Sequence, residues 1–218
     1  MPGWTQKALH AFTLAAALMM PLLSGCTAAP AFNGRAGDHF DGTQFVNREP
    51  MEKAAGDFVK VAWGLVTEAS DWPDWVETSA GEVQAERVYQ GISVTFINHA
   101  TFLIQVDGIN ILTDPIYSER ASPFQWAGPR RVHAPGIAME ELPPIDLVLI
   151  SHNHYDHLDE ATLAGLSEQQ EKPPLIVAGL GNGLLFDQLG LSNHRDLDWH
   201  ESTRLGEVEI IFTECRHR

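Results

Sequence analysis

Three imidazoles and a carboxylate stand within six consecutive positions of this chain, in the stretch Ser151-His152-Asn153-His154-Tyr155-Asp156-His157-Leu158-Asp159. Imidazole nitrogen and carboxylate oxygen are ligands that suit zinc and related borderline ions. In an extended segment alternate side chains point the same way, so His152 and His154 can grip one ion. Asp156 and His157 follow where the chain starts to turn, and can face a second ion nearby. The competing reading is a solvated, turn-forming loop that binds nothing. Four ligand-type side chains in H-x-H-x-D-H order favour the metal.

The flanking residues must position that loop. Ile145 to Ile150, broken only by Asp146 and entered through Pro143-Pro144, predicts a buried strand. Asp159 offers an N-cap, and Glu160 to Leu166 predicts a short helix. The ligands therefore sit between a strand and a helix, where open α/β sheets place their chemistry. Upstream, Ile92 to Ile97 and Thr101 to Val106 are β-rich, Asp107-Gly108 is a hairpin turn, and Ile109 to Thr113 is the returning strand. That strand ends in Asp114-Pro115, where proline halts the ladder. Asp114 reads either as an acceptor for the N–H of a ligand imidazole or as a turn-initiating residue. Ile116 to Ala138 is a long loop carrying Arg120, Trp126, Arg130, Arg131 and His133. Its arginines either receive a phosphate, whose oxygens suit guanidinium forks, or are solvated surface. Gly179, Gly181 and Gly183 follow a strand at Leu175 to Ala178 without a Lys-Ser or Lys-Thr, so they form a turn and not a nucleotide loop.

The chain has 218 residues, 44% of them hydrophobic, which fits one globular domain with an extension. Its formal net charge of -15 argues against nucleic acid as a partner, because phosphate backbones recruit Lys and Arg. Residues 1–25 read as a signal peptide, with Lys7 ahead of an apolar run from Ala8 to Leu23. The run ends in Leu23-Ser24-Gly25-Cys26, which resembles a bacterial lipobox. The resemblance implies cleavage before Cys26 and a lipid anchor on it; the alternative is an ordinary signal peptide that contains a cysteine. Thr27 follows, not Asp, so the expectation is a protein of the bacterial cell envelope facing the periplasm, with the outer membrane favoured. With Cys26 acylated, Cys215 has no disulfide partner. Residues 26–90 read as tether and N-terminal extension, ordered near His39-Phe40-Asp41-Gly42 and helical from Met51 to Ala69. Trp63, Trp72 and Trp75 fit either the packing face of that helix or a lid over lipid or substrate.

Residues 91–218 carry a family likeness. The strings His99-Ala100-Thr101, Ile111-Leu112-Thr113-Asp114-Pro115-Ile116, Arg120-Ala121-Ser122-Pro123, Gly128-Pro129-Arg130, Leu142-Pro143-Pro144-Ile145-Asp146, the His152-to-Asp159 stretch, Leu197-Asp198-Trp199 and Phe212-Thr213-Glu214-Cys215-Arg216-His217 resemble the metallo-β-lactamase fold. Within it they are most similar to the branch of N-acylphosphatidylethanolamine-hydrolysing phospholipase D and its bacterial lipoprotein relatives. The resemblance implies an α/β αββα sandwich, here mainly its N-terminal half. It implies a Zn2+ pair: His152, His154 and His217 on the first ion, Asp156 and His157 on the second, and Asp114 as a buried acid behind them. Asp156 would also orient the attacking water or take its proton.

The family's chains run on past the position of His217 and supply an Asp bridging both metals and a final His. The expectation is therefore a C-terminally truncated chain holding one or two zinc ions. The implied activity is hydrolysis of a phosphodiester by metal-activated water, on a phospholipid-like or small phosphodiester substrate reached from a membrane anchor. Two other readings stay open, a lactone or ester hydrolase of the same fold and an inactive, lipid-anchored fragment.

Overall fold

The computed structural model describes residues 30–48, 73–81, 83, 86–126 and 128–215. The expected signal peptide, Cys26, the helix from Met51 to Ala69, Trp63, Trp72 and His217 lie outside the described residues. Among the described residues no helix is long and apolar enough to cross a membrane.

Six strands form one mixed sheet in spatial order β1 to β6. They are β1 (Ile92–Asn98), β2 (Thr101–Val106), β3 (Ile109–Thr113), β4 (Leu147–Leu149), β5 (Leu175–Gly179) and β6 (His194–Leu197). The first three form an antiparallel meander. The Asp107-Gly108 turn predicted between β2 and β3 is present with φ of 50° and 74°. Two positive angles in succession match the strands' right-handed twist, which is why glycine follows aspartate there. From β3 onward the pairing is parallel. Helix α1 (Glu160–Glu168) joins β4 to β5, and α2 (Gly183–Gln188) joins β5 to β6. A separate hairpin, β7 (Ser202–Leu205) with β8 (Val208–Ile211), follows.

Parallel strands covered on both faces become continuously apolar, and their side chains alternate between two cores. Leu112, Val148, Ile176 and Ala178 point into a core shared with Leu163 and Leu166 of α1 and with Leu185 and Phe186 of α2. Ile111, Leu147, Val177 and Leu197 point the other way, under Leu205, Val208 and Ile210 of the hairpin. The predicted strand at Ile145 to Ile150 is shorter in the structure, covering Leu147–Leu149. Asp146 still pairs by backbone with Asn110 and Leu175, while its carboxylate accepts from the Asn110 backbone N–H at 2.9 Å and pairs with Arg87 at 2.5 Å. The hairpin β7–β8 carries no turn signal beyond Gly206 and was not expected from the pattern.

Candidate metal centre

The histidine loop leaves the sheet at the carboxyl end of β4 and is pinned at both ends. At its far end Leu158 is fully buried and Asp159 caps α1, its carboxylate accepting from the Thr162 backbone N–H. The same carboxylate accepts from the Tyr117 and Ser118 N–H groups and from the hydroxyls of Ser118 and Thr162. Within the loop the His154 carbonyl accepts from the N–H groups of His157 and Leu158, which makes the turn that separates Asp156 and His157 from the extended pair before them.

At the near end Asp114, at the close of β3, is buried and holds a backbone φ of 36°. A non-glycine residue in that region is strained and persists only where its surroundings demand it. Here they do. Its carboxylate accepts from the Ser151 N–H and the Ser151 hydroxyl, both at 2.7 Å, and from His157 Nδ1 at 2.8 Å. Asp114 thus accepts from an imidazole of the histidine loop, where its strand-end position suggested an acceptor.

That network determines which ring nitrogens carry protons. Ser151 gives its only hydroxyl proton to Asp114, so its oxygen accepts from His152 Nδ1 at 2.9 Å. His157 donates through Nδ1 as well. In the neutral form each ring then keeps a lone pair on Nε2, the arrangement in which a hydrogen bond on one nitrogen prepares the other for a metal. His152 Nε2 lies 3.0 Å from His154 Nδ1, and the His152 and His157 rings are 4.1 Å apart. Zinc–nitrogen bonds of about 2.0–2.1 Å in a tetrahedron set ligand atoms about 3.3 Å apart. The donors present fit such an ion.

The structure adds a residue to which the sequence reading gave no role. His99, in the turn between β1 and β2, places Nε2 3.1 Å from Asp156 Oδ2. Donor atoms of His99, Asp156 and His157 lie within 4.8 Å of one another. The available signal was local: a hairpin joint written Asn98-His99-Ala100, with a histidine at φ 40° where glycine or asparagine is expected.

The arginines of the long loop serve the loop itself. Arg120 donates to the Gln125 and Gly128 carbonyls, Arg131 to the Tyr117 carbonyl, and Arg130 pairs with Glu119. Of the three glycines expected to form a turn, Gly181 lies in it, while Gly179 closes β5 and Gly183 opens α2. The N–H groups of Gly181 and Gly183 donate to Asp196 at 2.8 and 2.9 Å, which occupies the groups a phosphate would need.

Beside His152 opens a cleft of about 410 Å3, with Asn153 on its wall. Its apolar wall comes from both ends of the described chain: Phe32, Phe40 and Phe45 of the N-terminal segment, with Trp199 and Phe212. Within that segment the chain doubles back at Asp41 to Gln44, with Phe40 bridged antiparallel to Phe45. The Asp41 carboxylate accepts from the Thr43 hydroxyl and the Thr43 and Gln44 N–H groups, which hold its pKa down at about 2. His39 stacks on Trp199 at 4.2 Å and bridges Asp38 and Asp198 at 2.7 and 2.8 Å. Of the three tryptophans, Trp75 alone is described; it is half exposed and donates to Glu77. Gly181 sits under Phe32 with φ 94°, and a Cβ there would meet that ring at 3.3 Å. Gly181→Ala should therefore cost about 1–2 kcal/mol through backbone strain and displace Phe32. A thermal melt indistinguishable from wild type would contradict this.

Comparison with known proteins points the same way. Residues 109–218 match the family described as "Beta-lactamase superfamily domain". An uncharacterized protein of Mycobacterium tuberculosis is 31% identical over 98% of this chain, which spans 57% of that relative's length. The N-acyl-phosphatidylethanolamine-hydrolyzing phospholipase D 1 of Caenorhabditis elegans is 44% identical over 52% of this chain and 33% of its own. A UPF0173 metal-dependent hydrolase of Methanopyrus kandleri is 30% identical over 54% of this chain and 51% of its own.

Proposed function

We propose that this chain, which belongs to the beta-lactamase superfamily, is a metal-dependent hydrolase acting on phosphodiester bonds of phospholipid type. The observation that carries the reading is the Asp114–Ser151 network, which favours the same Nδ1–H tautomer in His152 and His157 and sets Nε2 of each beside another ligand-type atom, His154 Nδ1 at 3.0 Å and Asp156 Oδ2 at 3.6 Å. Zinc suits these nitrogen and oxygen donors. His152 and His154 would hold one ion, joined by His217 on the strength of the resemblance. Asp156 and His157 would hold the other. When bound, the metal polarises the scissile group and lowers the pKa of a water toward neutrality.

The chain's own residues do the rest. Asp156, 45% exposed at the mouth of the loop, presents a carboxylate able to orient a water and accept its proton. Asp114 keeps the His157 ring from rotating and keeps its proton on Nδ1. The aromatic cleft beside His152 and Asn153 suits the apolar part of a lipid, and its opening at the histidine loop would bring a headgroup phosphodiester to the donors. Similarity to the Caenorhabditis elegans phospholipase D supports the phosphodiester over other bonds.

The test uses the full chain. Zinc per chain is counted by elemental analysis, and the same sample is given N-acylphosphatidylethanolamine in mixed micelles and, separately, a γ-lactone. Bound zinc with release of phosphatidic acid is the expected result. Bound zinc with cleavage of the lactone alone would leave a hydrolase and overturn the phosphodiester. A protein that takes up no zinc overturns both.

A further inference from the structure

His99 stands 57 positions before Asp156, on a different element, yet it reaches into the histidine loop. The turn that carries it is held rigidly. The Asn98 side chain donates to the Ile116 carbonyl at 2.8 Å. The Thr101 hydroxyl donates to the Asp114 carbonyl at 2.7 Å and accepts from the Ile116 N–H at 3.2 Å. Asn98 and Thr101 are both buried, so the turn is fixed to the segment that also carries Asp114. Between these two anchors His99 takes φ 40°, a conformation unfavourable for any residue with a Cβ. Backbone strain of this kind, fixed by buried hydrogen bonds on both sides, aims a side chain.

We propose that His99 is a metal ligand, completing with Asp156 and His157 a three-donor site for zinc or a related divalent ion. The proposal rests on the metal-dependent reading given above. Its geometric basis is the spacing of the donor atoms. Asp156 Oδ2 lies 3.1 Å from His99 Nε2 and 3.6 Å from His157 Nε2. These values bracket the edge of about 3.3 Å that tetrahedral zinc imposes. The His99 and His157 rings meet edge to face at 5.1 Å, so both can turn a nitrogen to the same point. Asp114 fixes the His157 proton on Nδ1 and leaves Nε2 to coordinate. Without an ion, His99 Nε2 lies in ion-pair contact with Asp156 Oδ2, and the neutral ring can carry its proton there. With one, that proton moves to Nδ1 of the same ring, whose side chain is 55% exposed, and Nε2 becomes a ligand with no change of charge. Three protein ligands with one open position is the pattern of catalytic zinc sites. The site so formed draws on residues of this chain alone.

The competing account is that His99 only orients Asp156 by hydrogen bonding. Glutamine separates the two, because its amide can still donate to the carboxylate but offers no imidazole nitrogen. The full-length protein and its His99→Gln and His99→Ala variants are titrated with Zn2+ against a chromophoric chelator. In parallel, the 15N signals of histidine in the wild-type chain are followed. The expected result is that both variants lose one equivalent of zinc or bind it at least about 10-fold more weakly, and that His99 Nε2 shifts on zinc addition to wild type. Unchanged affinity in His99→Gln, or an unmoved His99 resonance while the wild type binds zinc, overturns the proposal and leaves the hydrolase reading intact. A wild-type chain that binds no zinc overturns both. The 15N measurement stands even if a variant fails to fold.

Discussion

Replacing Asp114 by alanine should weaken zinc binding by about 10- to 100-fold, the range found when an acceptor behind a metal-bound histidine is removed. The expectation follows from how many groups depend on one carboxylate. Asp114 accepts from Ser151 twice and from His157 once, and it is buried. Without it the His157 ring can carry its proton on Nε2, where an ion needs a lone pair. Ser151 can likewise give its hydroxyl proton to His152 Nδ1, which reverses that ring's tautomer as well. A single change thus acts on a donor of each ion. Asparagine at this position is a poor rescue, since its amide nitrogen must face one of three groups that are themselves donors. Each buried donor left unpaired costs about 1–3 kcal/mol, so the variant should also melt earlier. Zinc titration and thermal denaturation of Asp114→Ala and Asp114→Asn read both effects. Wild-type affinity in the alanine variant would show that Asp114 plays no part in preparing the site.

The second large effect is on stability. Asp159→Ala should cost on the order of 3 kcal/mol or more: loss of an N-cap accounts for about 1, and each buried orphaned donor adds about 1–3. The Asp159 carboxylate is shared by α1 and by the start of the long loop, through the Thr162 N–H and hydroxyl and through Tyr117 and Ser118. One opposing effect exists. Burial, and then the charge of Asp159, raise the Glu160 carboxyl above its usual range, so removing Asp159 relieves some repulsion. That relief concerns one partly exposed side chain, while the loss concerns the N–H and hydroxyl of buried Thr162 and those of part-buried Ser118, so the loss wins. Urea denaturation should show a lower midpoint with an unchanged slope. An unmoved midpoint would mean that solvent satisfies these donors.

Much of this was legible in the sequence, for local reasons. The hairpin from β2 to β3 was written in Asp107-Gly108, α1 in its Asp159 cap, and β4 and β5 in short apolar runs between turn residues. The histidine loop was legible as a candidate site because its imidazoles and carboxylate are neighbours in sequence. What escaped was non-local. His99 joins the donors only because Asn98 and Thr101 bind the Asp114–Ile116 segment, a contact no spacing rule shows. The aromatic cleft brings Phe32, Phe40 and Phe45 against Trp199 and Phe212 across most of the chain. The hairpin β7–β8, half exposed along its length, has a weak alternating pattern because only one of its faces covers the sheet. The arginines of the long loop read as ambiguous because Arg120 and Arg131 take backbone carbonyls, which every sequence offers, and only Arg130 takes a carboxylate, that of Glu119.

The strand that delivers the histidines is also the shortest in the sheet. β4 has three residues, each paired once with β3 and once with β5. Past its end the β3–β4 joint continues only through Asp114, whose N–H reaches the Leu149 carbonyl and whose carboxylate takes Ser151. The backbone pairing of β4 runs one residue further at each end, through Asp146 to Asn110 and Leu175 and through Ile150 to Val177, and Leu147 and Val148 are fully buried, so opening it costs much of the stability of the fold. An ion gripped at once by the turn before β2 and the loop after β4 would act as a removable cross-link over that seam. Its binding energy would then be added to the closed state. Metal occupancy and the closure of the joint between the β1–β2 turn and the histidine loop would then be one linked equilibrium.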